Sequence, residues 1–147
     1  MTRHLATFLG FGALAALAAP PAARAQDHDH AAHVMMDCAK ACADCQLQCD
    51  SCFAHCFKLV VDGDKTHART ARLCNDCGTV CAASAKLCAN QGPLCLICCE
   101  ACAKSCDECA AACEKHPGDK HMADCAKSCR ACAKACRDMI AEMPKKK

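Results

Sequence analysis

The sequence predicts an all-α fold: an antiparallel up-down-up-down four-helix bundle with a cysteine-lined core. Three observations predict it. Cysteine supplies 21 of the 147 residues, roughly 14% against the ~8–10% that already marks a chain as unusual. These cysteines recur three and four residues apart in four blocks, the spacing of a single helical stripe. Turns bearing Gly or Pro separate the blocks, and links that short set neighbouring helices antiparallel.

The first block is Cys38, Cys42, Cys45, Cys49, Cys52 and Cys56, with Met35 opening its register. Steps of 4, 3, 4, 3 and 4 keep all six thiols on an a/d seam. The intervening Ala39, Lys40, Ala41, Ala43, Gln46, Leu47 and Gln48 are good or neutral helix formers. The second block is Cys74, Cys77, Cys81 and Cys88; its register adds His67 and Thr70 before it and Ser84 within it. The third is Cys95, Cys99, Cys102, Cys106, Cys109 and Cys113, then His116, with Cys98 one residue off the stripe. The fourth is Cys125, Cys129, Cys132 and Cys136, preceded by Met122 and followed by Met139 and Met143. Of 28 seam positions, 20 are Cys, four Met, two His, one Thr and one Ser.

Asp62-Gly63-Asp64, Gly92-Pro93 and Pro117-Gly118-Asp119 break the helices, and Pro144 ends the last. Alanines beside the seams (Ala39, Ala41, Ala71, Ala85, Ala103, Ala110) let the helices approach closely. With no Trp or Tyr and only four Phe, a core of large side chains is excluded, as is a stacking platform for single-stranded nucleic acid.

Residues 1–25 read as a secretory signal. Arg3 gives a basic start, Leu5 to Ala19 an apolar run too short to span a bilayer, and Ala23-Arg24-Ala25 a small-x-small cleavage site. The expected domains are this leader, a His-rich flexible segment at 26–34, the metal-binding bundle at 35–143 and a basic tail at 144–147. The reading is an exported, periplasmic protein with no membrane span in the mature chain. No twin-Arg pair is present, so the chain is expected to travel unfolded and to acquire metal afterwards. Without the leader, 16 basic residues face 16 acidic ones. That balance gives no electrostatic footprint for nucleic acid.

An exported, cysteine-rich chain is ordinarily a disulfide scaffold. The spacing argues otherwise. Side chains three or four apart on a helix run roughly parallel along its surface and miss the ~3.8 Å Cβ approach that a bridge needs. Across a bundle with axes ~8–10 Å apart, only some facing pairs could bridge. Cysteine as a mere apolar filler is also a poor account of 20 of 28 seam positions, since Leu would pack better.

The chemistry left is soft-metal binding. Zinc with four thiolates carries a charge of −2, costly when repeated along a dry core. Cu(I) accepts two or three thiolates, so each site carries less charge. Cys-x-x-x-Cys pairs (Cys38/Cys42, Cys45/Cys49, Cys52/Cys56, Cys102/Cys106, Cys109/Cys113, Cys125/Cys129, Cys132/Cys136) suit a near-linear S–metal–S unit of ~4.6 Å span. The expected cargo is Cu(I), several ions per chain.

At this point the sequence resembles a known family, the exported four-helix-bundle copper storage proteins. The residues that carry the resemblance are Cys38-Ala-Lys-Ala-Cys42, Cys42-Ala-Asp-Cys45 and Cys125-Ala-Lys-Ser-Cys129-Arg-Ala-Cys132-Ala-Lys-Ala-Cys136. It spans about Met35 to Met143. It implies uptake of many Cu(I) ions by core thiolates and assembly as a homotetramer. Thr70 and Ser84 depart from an all-cysteine lining.

Antiparallel threading gathers Met35, Cys88, Cys95, Met139 and Met143 at one end, and Cys56, His67, His116, His121 and Met122 at the other. Thioethers bind Cu(I) without deprotonation, so the ends are expected to serve entry and release, with ordinary end-of-core packing as the competing account. His55, beside the seam, reads as a solvated or interface residue. Cleavage after Ala25 would expose Gln26-Asp27-His28, whose amine, amides and imidazole could hold Cu(II) in a square plane; a solvated tail is the simpler account. The expectation is a non-enzymatic copper store that hands its cargo to a copper-receiving protein. The alternatives are a thiol–disulfide redox protein and a broader Zn/Cd detoxification protein. Leu47, Phe53 and Phe57 lie off the seam, available for self-association or for packing within one bundle.

Overall fold

The computed structural model describes residues 21–143, with side chains from residue 29 onward. Leader positions Met1 to Pro20 and the tail Pro144 to Lys147 lie outside the described residues, as do the side chains of Gln26-Asp27-His28. Four helices account for the fold: α1 (Pro21–Val61), α2 (Ala68–Ala89), α3 (Cys95–Cys113) and α4 (Lys120–Glu142). A single 3-10 turn, Lys65–His67, leads into α2. No strand occurs among the described residues. Each helix packs on two neighbours, α1 on α2 and α4, and α3 on α2 and α4, so the four form a square with α1 diagonal to α3.

The boundaries follow local chemistry. Gly63 and Gly118 adopt φ of 105° and 93°, a left-handed turn that glycine enters without steric cost. Asp119 caps α4: its carboxylate accepts from the backbone N–H of His121 at 2.8 Å and of Met122 at 3.2 Å, two donors the first turn would otherwise leave unpaired. Asp64 does the same for the 3-10 turn, accepting from Thr66 N–H at 3.0 Å. At the α2–α3 link, Gln91 takes φ of 51°, and Gly92 N–H donates to the Leu87 carbonyl at 2.8 Å.

One expectation changes. Residues 26–34, expected as a flexible segment, are helical, because α1 begins at Pro21. Proline suits a first helical turn, no Gly or Pro follows until Gly63, and His33 pairs with Asp37 at i,i+4 and 3.4 Å.

The interior is sulfur and alanine. Twenty of the 21 cysteines are buried, Cys98 alone being half-exposed. Met122, Met139 and Met143 are buried at the ends, while Met35 is partly buried against the same core. Small alanines fill the flanks: Ala39, Ala71, Ala103, Ala110, Ala126 and Ala133. Gly78 on α2 lets α1 come close, since a Cβ there would stand 2.8 Å from Asp50 Oδ1. The surface is tied by ion pairs. Arg130 bridges Asp107 and Glu114, each at 3.0 Å, and Arg137 joins Asp107 as well. Phe53, off the seam, packs against the core within the bundle; Leu47, Phe57 and Val61 stay exposed on α1.

Candidate metal centre

A seam residue on each helix points to the bundle axis, so thiols from diagonal helices meet there. Cys38, Cys42 and Cys45 of α1 approach Cys99, Cys102 and Cys106 of α3 at 3.8, 4.0 and 3.9 Å. Helix α4 closes the same levels: Cys136 lies 3.8 Å from Cys38, Cys132 3.7 Å from Cys42, and Cys129 3.8 Å from Cys45. From α2, Cys81 contacts Cys102 and Cys106, both at 3.6 Å, and Cys109 contacts Cys74 at 3.7 Å.

The result is a ladder of four-thiol sets, each with sulfurs within 4.8 Å of one another. From the Met35 end these include Cys42/Cys102/Cys132/Cys136, then Cys45/Cys77/Cys81/Cys106 and Cys45/Cys49/Cys77/Cys129. Next come Cys49/Cys109/Cys125/Cys129 and Cys52/Cys74/Cys113/Cys125. From the second of these onward, consecutive sets share sulfurs: Cys45 and Cys77, then Cys49 and Cys129, then Cys125.

With metal–sulfur bonds of ~2.3 Å, a three-coordinate ion has sulfur–sulfur edges of roughly 4.0 Å, and a linear ion spans roughly 4.6 Å. The i,i+4 pairs Cys45/Cys49 and Cys77/Cys81 stand at 4.0 and 3.9 Å. They fit an edge of a three-coordinate site as they are and must open by roughly 0.6 Å for a linear one.

Protons are shared along the ladder, which divides the thiols. Hydrogen bonds from Cys136 and Cys42 pull Cys38 down to about 5. Cys52, then Cys74, hold Cys56 down to about 3. Cys106 and Cys129 likewise push Cys45 down. Cys129 is pushed up by Cys106, Cys109 and Cys125, and further by burial. Burial comes first at Cys95, which rises to about 11. The thiolate is the metal ligand, so metal entry must displace the protons the raised members keep.

The two ends differ. At one, Cys88 lies 3.2 Å from Cys99, with Cys95, Met139 and Met143 buried around that level. At the other, Met122 Sδ accepts from Cys52 at 3.6 Å and from Cys56 at 3.9 Å. Above it the rings of His67 and His116 stack with centroids 4.1 Å apart.

Several partners were not legible in the spacing. His116 Nε2 is hydrogen-bonded to Thr70 Oγ1 at 3.0 Å. His67 Nδ1 stands 3.0 Å from Asp64. His55, expected as a solvated or interface residue, is half-buried: its Nε2 meets Asp119 at 2.8 Å, and its ring stacks on His121 at 4.4 Å. The available signal was Asp119 itself, a helix-capping residue type just after Pro117-Gly118. Ser84, fully buried, donates to the Cys98 carbonyl at 3.4 Å and shares a hydrogen bond with Cys98 Sγ at 3.1 Å. The off-stripe thiol therefore sits against the serine that interrupts the α2 seam, to the side of the ladder.

Comparisons with known proteins agree with this geometry. The family model for copper storage proteins matches residues 15–141. The structure resembles Cu(I)-bound copper storage protein BsCsp3 at 32% identity, covering 73% of this chain and 98% of that one, with a TM-score of 0.65. The apo form of copper storage protein 3 from Bacillus subtilis aligns at 33% identity over 71% of this chain and 96% of that one, with a TM-score of 0.64. A cytosolic copper storage protein from Streptomyces lividans holding five coppers aligns at 27% identity over 79% and 99%, with a TM-score of 0.70. No curated protein matches the chain. The matched span takes in every cysteine of the ladder, and the chain belongs to the copper storage protein family.

Proposed function

We propose that this chain stores Cu(I), several ions per molecule, on the thiolates of its core. The ligands are the seam cysteines Cys38 to Cys56, Cys74 to Cys88, Cys95 and Cys99 to Cys113, and Cys125 to Cys136, with Cys98 beside them. The observation that carries the reading is the run of overlapping four-thiol sets, all buried and all free of disulfides. Soft thiolates select a soft ion, and a monovalent one leaves less net charge in a dry interior than a divalent one.

Met35, Met139 and Met143 at one end, and His67, His116 and Met122 at the other, are placed to pass ions in and out. Thioether and imidazole need no thiol deprotonation to bind copper. Among the described residues no helix is long and apolar enough to cross a membrane. The leader-like residues 1–25 support export to the periplasm. Exposed Leu47, Phe57 and Val61 along α1 support self-association, a homotetramer being the assembly the resemblance implies. A copper-receiving protein would then collect the cargo.

Anaerobic titration of reduced apo protein with Cu(I), against a chromophoric Cu(I) chelator, tests the storage reading. The expected result is withdrawal of many equivalents from the chelator and a colourless product. Saturation at one or two equivalents would refute it.

A further inference from the structure

We propose that the Met35 end of the bundle reduces Cu(II) as it loads, with Cys88 and Cys99 supplying the electrons. Their sulfurs stand 3.2 Å apart, whereas the other hydrogen-bonded thiol pairs named above stand at 3.6–4.0 Å. A disulfide bond of ~2.05 Å asks this pair to close by roughly 1.2 Å. They face each other across the short α2–α3 link, near the end of α2 and the start of α3.

The approach to this pair changes donor type with depth. A cleft of about 220 Å³ between α1 and α4 is lined by Asp37, Asp138, Glu142, Cys38 and Met139. The three carboxylates are exposed, while Cys38 and Met139 are buried. Two imidazoles stand beside the carboxylates, His30 Nε2 at 3.2 Å from Glu142 and His33 Nε2 at 3.4 Å from Asp37. Nitrogen and oxygen donors suit Cu(II), and sulfur donors suit Cu(I). Cys38, in the cleft, lies 3.8 Å from Cys99. An ion entering as Cu(II) thus meets its preferred ligands outside and the close thiol pair one sulfur further in. At the opposite end the thiols of Cys52 and Cys56 lie, at 3.6 and 3.9 Å, against the Met122 thioether, which has no thiol proton to release in forming a disulfide.

The step balances with Cu(II) as the oxidant. The Cys88 and Cys99 thiols lose two protons and two electrons and form one S–S bond. Two Cu(II) ions each gain one electron, and the protons leave to solvent. The two Cu(I) ions then pass to Cys42, Cys102, Cys132 and Cys136. None of the five sets described above contains Cys88 or Cys99, so reduction leaves those sets intact. The fate of the Cu(I) rests on the storage reading; the reduction does not.

The test uses the full chain, fully reduced and oxygen-free, with two equivalents of aqueous Cu(II). The expected result is loss of the Cu(II) electron paramagnetic resonance signal, loss of two thiols, and a Cys88–Cys99 cross-link in alkylated peptides by mass spectrometry. Cys88→Ser should slow the signal loss at least tenfold. A persistent Cu(II) signal, or cross-links spread over the core cysteines, would overturn the proposal, and mapping of the unsubstituted chain decides the matter even if the variant folds poorly. Cu(I) appearing free in solution beside a mapped Cys88–Cys99 bond would instead refute storage and leave the reduction standing.

Discussion

The two ends of this bundle are built from different chemistry around one continuous core. At the Met35 end, carboxylates and two exposed imidazoles lead to buried Met139 and a close thiol pair. At the His67 end, two stacked imidazole pairs and two capping aspartates lie over Met122. Between them the sulfur sets repeat almost unchanged. The contrast teaches that the middle is suited to holding ions, where uniform ligands make neighbouring positions nearly equivalent. The ends are suited to exchanging them, where weaker and more varied donors lower the cost of leaving.

The largest effect should separate the middle from both ends. An ion bound only by the native state stabilises it by about 4 kcal/mol when present at a thousand times its dissociation constant. Several core ions should therefore raise the melting temperature by more than about 10 °C, measured by anaerobic calorimetry with and without Cu(I). A negligible shift would mean that copper binds at the ends alone. The apo protein should also lose stability in alkali. Burial raises Cys95 to about 11 in the folded state from 9.0. A raised value favours the protonated form, so its contribution is complete below about pH 9 and disappears as pH rises through 11. Apo melting followed across that window should fall. The loaded form, whose thiolates are already deprotonated, should change less.

A smaller effect separates one end from the other. Met139→Leu with Met143→Leu keeps the volume of that end while removing its sulfur. Stopped-flow transfer of Cu(I) from a chelator should slow several-fold, with capacity held within one equivalent. His67→Ala with His116→Ala asks the same of the opposite end. The double variant that slows transfer more marks the busier mouth; unchanged rates in both would remove the ends from the transfer route.

The smallest effect is structural and local. Asp119→Ala removes the α4 cap and the His55 partner together, and should cost about 1 kcal/mol in denaturant unfolding. Copper capacity should not change. A loss of capacity would show that the His67 end organises the core rather than only closing it.

The cysteine stripes made the fold readable because one residue type at a fixed period leaves a single face to bury. The same stripes placed nearly every thiol of the ladder, since antiparallel threading fixes which seam residues share a level: Cys38 with Cys136, Cys45 with Cys129, Cys52 with Met122. What periodicity could not give is what lies beside a stripe or beyond a helix end. The contacts of Ser84 with Cys98, Thr70 with His116, and His55 with Asp119 depend on rotamers and turn paths. At residues 26–34, polar composition points away from a helix, while the absence of any helix breaker after Pro21 permits the one that forms.

Sulfurs common to two adjacent sets have a consequence for how the contents can be inherited and lost. Since Cys125, Cys129 and Cys45 each belong to two neighbours, the rungs between Cys45 and Cys52 are not independent compartments. A single replacement at Cys129 damages two positions at once. Filling is accordingly a collective property of the column, and evolutionary tolerance should be graded by how many rungs a given sulfur supports.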